Sequence, residues 1–434
     1  MPADGDRFAR AVTPGRTRPP RSVVVVGAGL AGSQAVAALR GQGFDGHLTV
    51  LGAEGVEPYD RPPLSKELLT RTEPAWLRDD LGTDLSLADD VRLAEAALGL
   101  EIGEAESVDE GRTTVVVRTA SGPVRADAVI LATGSHALRP RGWEAAMTLH
   151  TTADAERLRV ALTPGAHLVV VGAGWIGAEV AGVAAAHGLE VTVVEAGPAP
   201  LAVALGAPVG ALTVPWYAAS GVRLLTATSV VSVEDRGADG TEVRLATGEV
   251  LRADVVLAAV GARPTSAWLG AAVPCSADGS VVVDERYRVP GTGGRVVAVG
   301  DLARRRSPRH GWVAGGHWDG ALRSPAIAVA ALLDEAGADP GSPVPDPAPY
   351  VFSTQLGHEL GAYGLPGPTD DVVLRGDPSG PFTVLWFTAG TDELTAVLAV
   401  DRPRDVGAAR KLFAGVRLPQ VDRIVVSDPG RPLC

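Results

Sequence analysis

The chain is poor in cysteine, almost without lysine, and has neither a long apolar run nor an excess of positive charge. Its two cysteines, Cys275 and Cys434, stand far apart and belong to no CxxC. That excludes a local redox dithiol and gives no sign of a disulfide scaffold, the usage of a reducing compartment, so a cytoplasmic location is expected. Apolar runs such as residues 23–26 fall far short of the roughly 20 residues a membrane-spanning helix needs, and no membrane attachment is expected. The formal net charge of −12 argues against nonspecific nucleic-acid binding. Local basic clusters, Arg304, Arg305, Arg306 and Arg309, and again Arg402, Arg404, Arg410 and Lys411, could still meet an acidic partner. The lone His317 has no companions at metal-ligand spacing, so no metal site is expected. Of 39 basic residues only Lys66 and Lys411 are lysines. Each raises the question of what a compact ammonium does there that a planar guanidinium could not.

What the chain does have is an alternation of apolar strands and helices. With 434 residues, 46% of them hydrophobic, it is long enough for about three domains. Residues 1–21, rich in Pro and Arg and without an apolar core, read as a disordered leader rather than a signal peptide. From Ser22 the pattern runs SVVVVG, a glycine-rich turn, the helix LAGSQAVAALRGQG and the strand HLTVLGAE. From His167 the plan repeats as HLVVVG, WIGAEVAGVAAAHG and EVTVVEA. Further strand-like runs lie at Thr114–Arg118, Ala128–Leu131, Arg223–Leu225, Val230–Val233, Glu242–Leu245, Val255–Ala259 and Arg295–Val299. Such alternation predicts parallel, doubly wound sheets covered by helices. Residues 336–349, AGADPGSPVPDPAP, form a linker, after which VFSTQL, DVVLRG, FTVLWFTAG and LTAVLAV predict antiparallel strands and Asp405–Phe413 a helix.

Two glycine turns about 145 residues apart carry the chemistry. In Gly27-x-Gly29-x-x-Gly32 one glycine makes the tight turn, one lets the backbone approach a pyrophosphate, and one lets helix and strand pack closely; Glu54 closes the next strand and can accept from ribose hydroxyls. Gly172-x-Gly174-x-x-Gly177 repeats the arrangement with Glu195. A carboxylate there binds a ribose 2′-OH and repels a 2′-phosphate, and Ala196, Gly197 and Pro198 supply no arginine, so NADH (NAD+) is favoured over NADPH (NADP+). Two turns imply two dinucleotides, and a chain that binds both is most simply one that passes a hydride between them. The glycines alone do not say which turn takes which cofactor.

The order GAGLAG, then PYDRPPLSKELL, ATG, VVVGAGWIGAEVA, VAVGDLA and HW, followed by a β-rich C-terminal domain, resembles the FAD/NAD(P)-dependent pyridine nucleotide-disulfide oxidoreductase superfamily. Within it the chain is most similar to the ferredoxin, rubredoxin and putidaredoxin reductases that supply bacterial oxygenases and cytochromes P450. The resemblance implies an α/β fold of two Rossmann-like dinucleotide-binding domains, glutathione-reductase-like, plus a small C-terminal α+β domain with an antiparallel sheet. It implies an FAD-binding domain at 22–146 and 261–335, an NAD-binding domain at 147–260, and a C-terminal interface domain at 350–434. FAD would sit on the first turn and NADH on the second, with an iron–sulfur ferredoxin as the onward acceptor and the protein a monomer or homodimer. Glu54 would bind the adenosine ribose, Arg61 and Lys66 would lie against the flavin, Asp301 would bind the ribityl chain, and Thr133, Gly134, Gly261 and Gly300 complete the set. Lys66, Glu179 and Trp318 are the candidate catalytic residues. Lys66 and Glu179, the latter read as lying on the first turn of its helix, would pair beside the flavin, the glutamate offsetting the cost of burying the ammonium. Trp318 matches an aromatic that packs near the isoalloxazine and nicotinamide.

The chain departs from that pattern at three places. Gly316 stands where a glutamate usually precedes His-Trp. Ser324-Pro325 interrupts the following helix, which predicts a helix starting at Pro325 with Ser324 as its N-cap. The block Tyr350-Val351-Phe352-Ser353-Thr354-Gln355 lacks the usual tryptophan and acid. Two other readings fit the same residues: an FAD/NADH oxidoreductase acting directly on a small molecule such as a quinone, and an NADH-responsive signalling flavoprotein of the apoptosis-inducing-factor type. The absence of a CxxC sets the chain apart from reductases that relay electrons through a disulfide.

Overall fold

A computed structural model describes residues 19–103, 114–334 and 344–433. Most of the expected leader, residues 335–343 of the linker region, and Cys434 lie outside them. The chain divides into two units, one comprising the segments up to Asp60, Trp76–Ser135 and Arg263–Pro347, the other Arg61–Ala75, His136–Ala262 and Ala348–Cys434.

The first unit is built on a five-stranded parallel sheet in the order Val296–Ala298, Ala128–Leu131, Ser22–Val26, His47–Leu51, Asp90–Arg92. Val23, Val24, Val25 and Val26 are all buried. A β-branched run without polar alternation suits a central strand covered on both faces. Helix Leu30–Gly41 lays Ala35, Val36 and Leu39 into this core. The Thr114–Thr119 run does not extend the parallel sheet. It joins Ala97–Gly103 and Gly122–Ala126 in a separate antiparallel sheet, because the two residues between it and Gly122 allow only a hairpin. In this unit the C-terminal part of the linker is also anchored. Asp346 accepts from Arg305 at 2.7 Å, Ser307 at 2.9 Å and Arg309 at 3.2 Å. Burial alone would raise the Asp346 carboxyl, but these donors carry it below the ordinary carboxylate value.

The predicted helix start at Pro325 is corrected. One helix runs Trp318–Leu333 with Pro325 inside it and His317 as its N-cap residue. An interior proline forfeits a helical hydrogen bond. The helix nevertheless continues because Ser324, Pro325, Ala328, Val329 and Leu332 form one buried stripe, while the Ser324 hydroxyl is engaged elsewhere, accepting from Gly300 N at 3.1 Å.

The second unit has its own parallel sheet, ordered Arg223–Leu225, Glu190–Val194, His167–Val171, Val255–Ala258. Val230–Asp235 and Thr241–Leu245 again form an antiparallel side sheet, with Val250–Ala253, rather than lengthening it. The C-terminal segment folds into five antiparallel strands ordered Tyr350–Gln355, His358–Gly364, Leu394–Val400, Phe382–Phe387, Asp371–Gly376. All seven residues of Leu394–Val400 are buried or nearly so. One face packs Val384, Trp386 and Leu398 with Trp216 and Leu356; the other packs Leu385, Phe387 and Val397 against Phe413 and Val426. The strand His358–Gly364 is disguised in HELGAYG by its glycines. At Gly361 a β-carbon would lie 2.8 Å from Val406 Cγ2, on the helix Pro403–Leu412 that packs across the strand. Arg375, 1% exposed, closes the unit: Nε donates to Asp405 at 3.1 Å and Nη1 to the Val426 carbonyl at 2.8 Å, with Asp428 and Arg431 carbonyls also accepting.

Candidate functional site

Each parallel sheet ends in a glycine cradle at the carboxyl end of its first strand. Gly27 has φ +114°, and a β-carbon there would lie 2.1 Å from the Ala132 carbonyl oxygen; at Gly32 it would lie 1.8 Å from the Gly27 oxygen. Between them, Gly29 faces open space, with nothing within 4 Å. The second turn repeats the arrangement: 2.4 Å to Ala259 O from Gly172 (φ +104°), 2.0 Å to Gly172 O from Gly177, and nothing within 4 Å at Gly174. Gly29 and Gly174 are the N-cap residues of helices Leu30–Gly41 and Trp175–Ala186, and neither helix start is capped by a side chain. Backbone N–H groups with no side-chain cap, next to a position where only a hydrogen projects, fit a dinucleotide diphosphate. On that observation both cradles fit the two dinucleotides expected.

The carboxylates closing the next strands are held in place. Glu195 Oε2 accepts from Ala173 N at 2.7 Å and Oε1 from Gly197 N at 2.6 Å, which ties the acid to the glycine turn itself. Glu54 Oε2 accepts from the Tyr59 hydroxyl at 2.6 Å. In the first unit Thr133 Oγ1 donates to Thr265 O at 2.8 Å, and the Gly134 carbonyl (φ +64°) accepts from Thr265 N at 2.9 Å. Asp301, after Gly300 (φ +65°), accepts from Ser135 Oγ at 2.9 Å and from Gly316 N at 3.1 Å. Trp318 opens its helix and donates from Nε1 to Asp60 Oδ1 at 2.7 Å. Beside it, burial holds His317 below its usual pKa and raises the Asp319 carboxyl, with Arg323 opposing the latter.

In the second unit Gly261 (φ +108°) accepts from Leu138 N at 2.9 Å, and Arg61 donates to the His150 carbonyl. The structure brings Lys66 and Glu179 together, Nζ to Oε1 at 2.5 Å, with the two side chains 18% and 4% exposed. Glu179 lies on the second turn of helix Trp175–Ala186, not the first, and is buried. Its carboxylate also accepts from Ser65 Oγ and Ser353 Oγ, each at 2.5 Å, and Gln355 Nε2 donates to Ser353 Oγ at 3.0 Å. The Lys66 ammonium stands 5.2 Å from the centre of the Phe352 ring. Ser65, Ser353, Gln355 and Asp60 were not singled out from the sequence. Two signals lay near them: the serine next to the rare Lys66, and the Ser and Gln of the block 350–355 that remain where its tryptophan and acid are gone.

Among the described residues no group of three or more His, Cys, Asp or Glu could hold a metal ion, and no helix is long and apolar enough to cross a membrane.

A parallel sheet ending in an open glycine cradle, built twice, with a buried glutamate on the helix behind the second paired to a lysine from the short helix Pro63–Lys66, defines a dinucleotide oxidoreductase. Residues 21–322 match the pyridine nucleotide-disulphide oxidoreductase family, and the chain belongs to it. Residues 350–433 match the reductase C-terminal family, which narrows the branch. The chain is 34% identical to the anthranilate 1,2-dioxygenase system ferredoxin–NAD(+) reductase component of Burkholderia cepacia over 94% of its length and 97% of the relative's. It is 33% identical to rhodocoxin reductase of Rhodococcus erythropolis, over 91% and 89%. Among solved structures it superposes on the covalent putidaredoxin reductase–putidaredoxin complex with a TM-score of 0.80 at 27% identity, over 95% of this chain and 97% of that one.

Proposed function

We propose that the protein is an FAD-dependent NADH:ferredoxin reductase, oxidising NADH and reducing a small iron–sulfur protein that feeds an oxygenase or cytochrome P450. The observation that carries the reading is the Lys66–Glu179 pair, whose glutamate is buried on the helix that opens from the second glycine cradle. The names of the relatives support it: reductase components of dioxygenase systems, and a reductase captured with its putidaredoxin. FAD, when bound, supplies the conversion of a two-electron hydride donor into two single-electron transfers. Gly29 and the first turn of helix Leu30–Gly41 would hold its diphosphate, Glu54 its adenosine ribose and Asp301 its ribityl chain, with Arg61, Thr133, Gly134, Gly261, Gly300 and Trp318 lining it. Gly174 and Glu195 would hold NADH, the carboxylate accepting from the ribose hydroxyls and repelling a 2′-phosphate. Lys66 places a fixed positive charge where negative charge is received, and Glu179 keeps that ammonium oriented. A cytoplasmic location belongs to the same proposal, since NADH and a reduced iron–sulfur partner are kept in the reducing compartment.

The test is stopped-flow mixing of the purified yellow protein with NADH or NADPH, followed by an iron–sulfur ferredoxin with cytochrome c as final acceptor. Fast bleaching by NADH, slow bleaching by NADPH and ferredoxin-dependent cytochrome reduction are expected. Bleaching without transfer to any ferredoxin would move the assignment to a small-molecule acceptor, and no bleaching would remove it altogether.

A further inference from the structure

We infer that Ser353, supplied by the first strand of the C-terminal sheet, is a positioning residue for the Lys66–Glu179 pair. The inference rests on the proposed role of that pair toward the flavin. Glu179 is 4% exposed and its carboxylate has three donors: Lys66 Nζ and Ser353 Oγ on Oε1, Ser65 Oγ on Oε2. Ser65 immediately precedes Lys66 and moves with it. Ser353 comes from a segment 174 residues away in the chain and is 1% exposed, so of the three donors it alone ties the carboxylate to an element other than the short helix Pro63–Lys66 that carries the lysine. Its hydroxyl is itself directed. Gln355, 1% exposed and two residues along the same strand face, donates to the Ser353 oxygen, which leaves the hydroxyl proton for Glu179. The strand is seated firmly against the helix that carries Glu179: at Gly182 a β-carbon would lie 2.8 Å from Leu356 N, so only glycine admits this approach.

A carboxylate so placed cannot swing away with its lysine. Without Ser353, Oε1 keeps one partner, on a lysine whose flexible stem can follow it, and the ammonium is no longer held at one point. The hydrogen bond is one to a charged group, so its removal reads as about a tenfold effect.

The experiment uses the full-length, FAD-loaded protein and the variants Ser353→Ala, Ser353→Thr, Gln355→Met and Lys66→Met. It measures the midpoint potential of the bound flavin by spectroelectrochemical titration, the limiting rate of reduction at saturating NADH, and the NADH dissociation constant. Ser353→Ala should slow limiting reduction about tenfold and lower the potential, with NADH affinity within about twofold of the parent. Ser353→Thr, which keeps the hydroxyl, should restore both, and Gln355→Met should give a smaller loss in the same direction. If Ser353→Ala does not fold, Gln355→Met carries the test. Unchanged rate and potential in both, or failure of threonine to rescue a folded alanine variant, would overturn the inference while Lys66→Met still lowers both. No effect of Lys66→Met would instead bring down the role of the pair itself, and this inference with it.

Discussion

The two glycine cradles separate a packing role from a binding role, and alanine tells them apart. At Gly177 a β-carbon would stand 2.0 Å from the Gly172 oxygen and 3.1 Å from its carbonyl carbon. Real β-carbons essentially never come closer than 3.0 Å to such atoms, so the turn must open. The obstacle is backbone and cannot rotate away, so the cost lies at the upper end of the roughly 1–3 kcal/mol typical of overpacking. At about 2–4 °C per kcal/mol for a domain of this size, Gly177→Ala should lower the melting temperature by roughly 5–10 °C. Gly174 is the opposite case. Its φ of −77° and ψ of −169° suit any residue, and nothing lies within 4 Å. Gly174→Ala should therefore leave stability unchanged or raise it by up to about 1 kcal/mol through the unfolded chain, with the melting temperature unchanged or slightly raised. The added methyl occupies the place where a diphosphate approaches, and the loss of a charge-assisted contact predicts NADH binding weaker by about tenfold or more. Thermal melts without ligand and titration of each variant with NADH check both halves. Gly29→Ala and Gly32→Ala repeat the contrast at the first cradle, with FAD retention as the binding readout. A Gly174→Ala protein that melts as early as Gly177→Ala, or that binds NADH normally, would refute the reasoning.

Three further outcomes are expected. The buried Tyr217 hydroxyl has no hydrogen-bond partner among the described residues, and burial together with the Glu195 charge raises the pKa of its phenol; Tyr217→Phe should be neutral or stabilising by about 1 kcal/mol in denaturant titration, and a clear loss would reveal a hidden partner. His310 is pushed down to about 4 by burial and by the positive charge of Arg309. The unfolded chain therefore takes up that proton first, so its contribution is whole above about pH 6.5 and is lost as pH falls to about 4, by at most about 3 kcal/mol. Melting temperature followed over that range should flatten in His310→Asn. Arg375→Met strips the guanidinium from Asp405 and from the Val426, Asp428 and Arg431 carbonyls, leaving the acid to Arg402 and Thr383 at 2.7 Å each. A loss of about 3–5 kcal/mol and early tryptic cleavage near residue 423 are expected.

Both cradles, their strands and helices were legible from the sequence because their cause is local: a β-branched run, a turn only glycine makes, and a helix start two residues on. Glu54, Glu195, Lys66 and Glu179 were legible for a related reason, lying at fixed distances from those turns or, for Lys66, standing out by rarity. The sequence misled where a long-range contact outweighs a local preference. Proline argued for a helix start at 325, but a buried stripe from Ser324 to Leu332 carries the helix through it. Glycine hid the strand His358–Gly364, since its Gly361 answers to a helix some 45 residues later. The block 350–355 marked Ser353 only as part of a departure from the resemblance, because nothing near it in the chain announces Glu179.

That last distance has a consequence for the order in which the molecule is made. Chains emerge N-terminus first, at about 5–20 residues per second. Both glycine turns and the Lys66–Glu179 pair have been synthesised by residue 195 and the last strand of the two parallel sheets by residue 298, yet the third donor to Glu179 follows only with residue 353. For about ten seconds at the slow end of that range, the nascent chain holds every strand of both parallel sheets but an unfinished partner set for the Glu179 carboxylate. Completion of the C-terminal sheet is therefore the event that finishes the site, and a chain stalled or truncated before that strand keeps its cradles without a fully held pair.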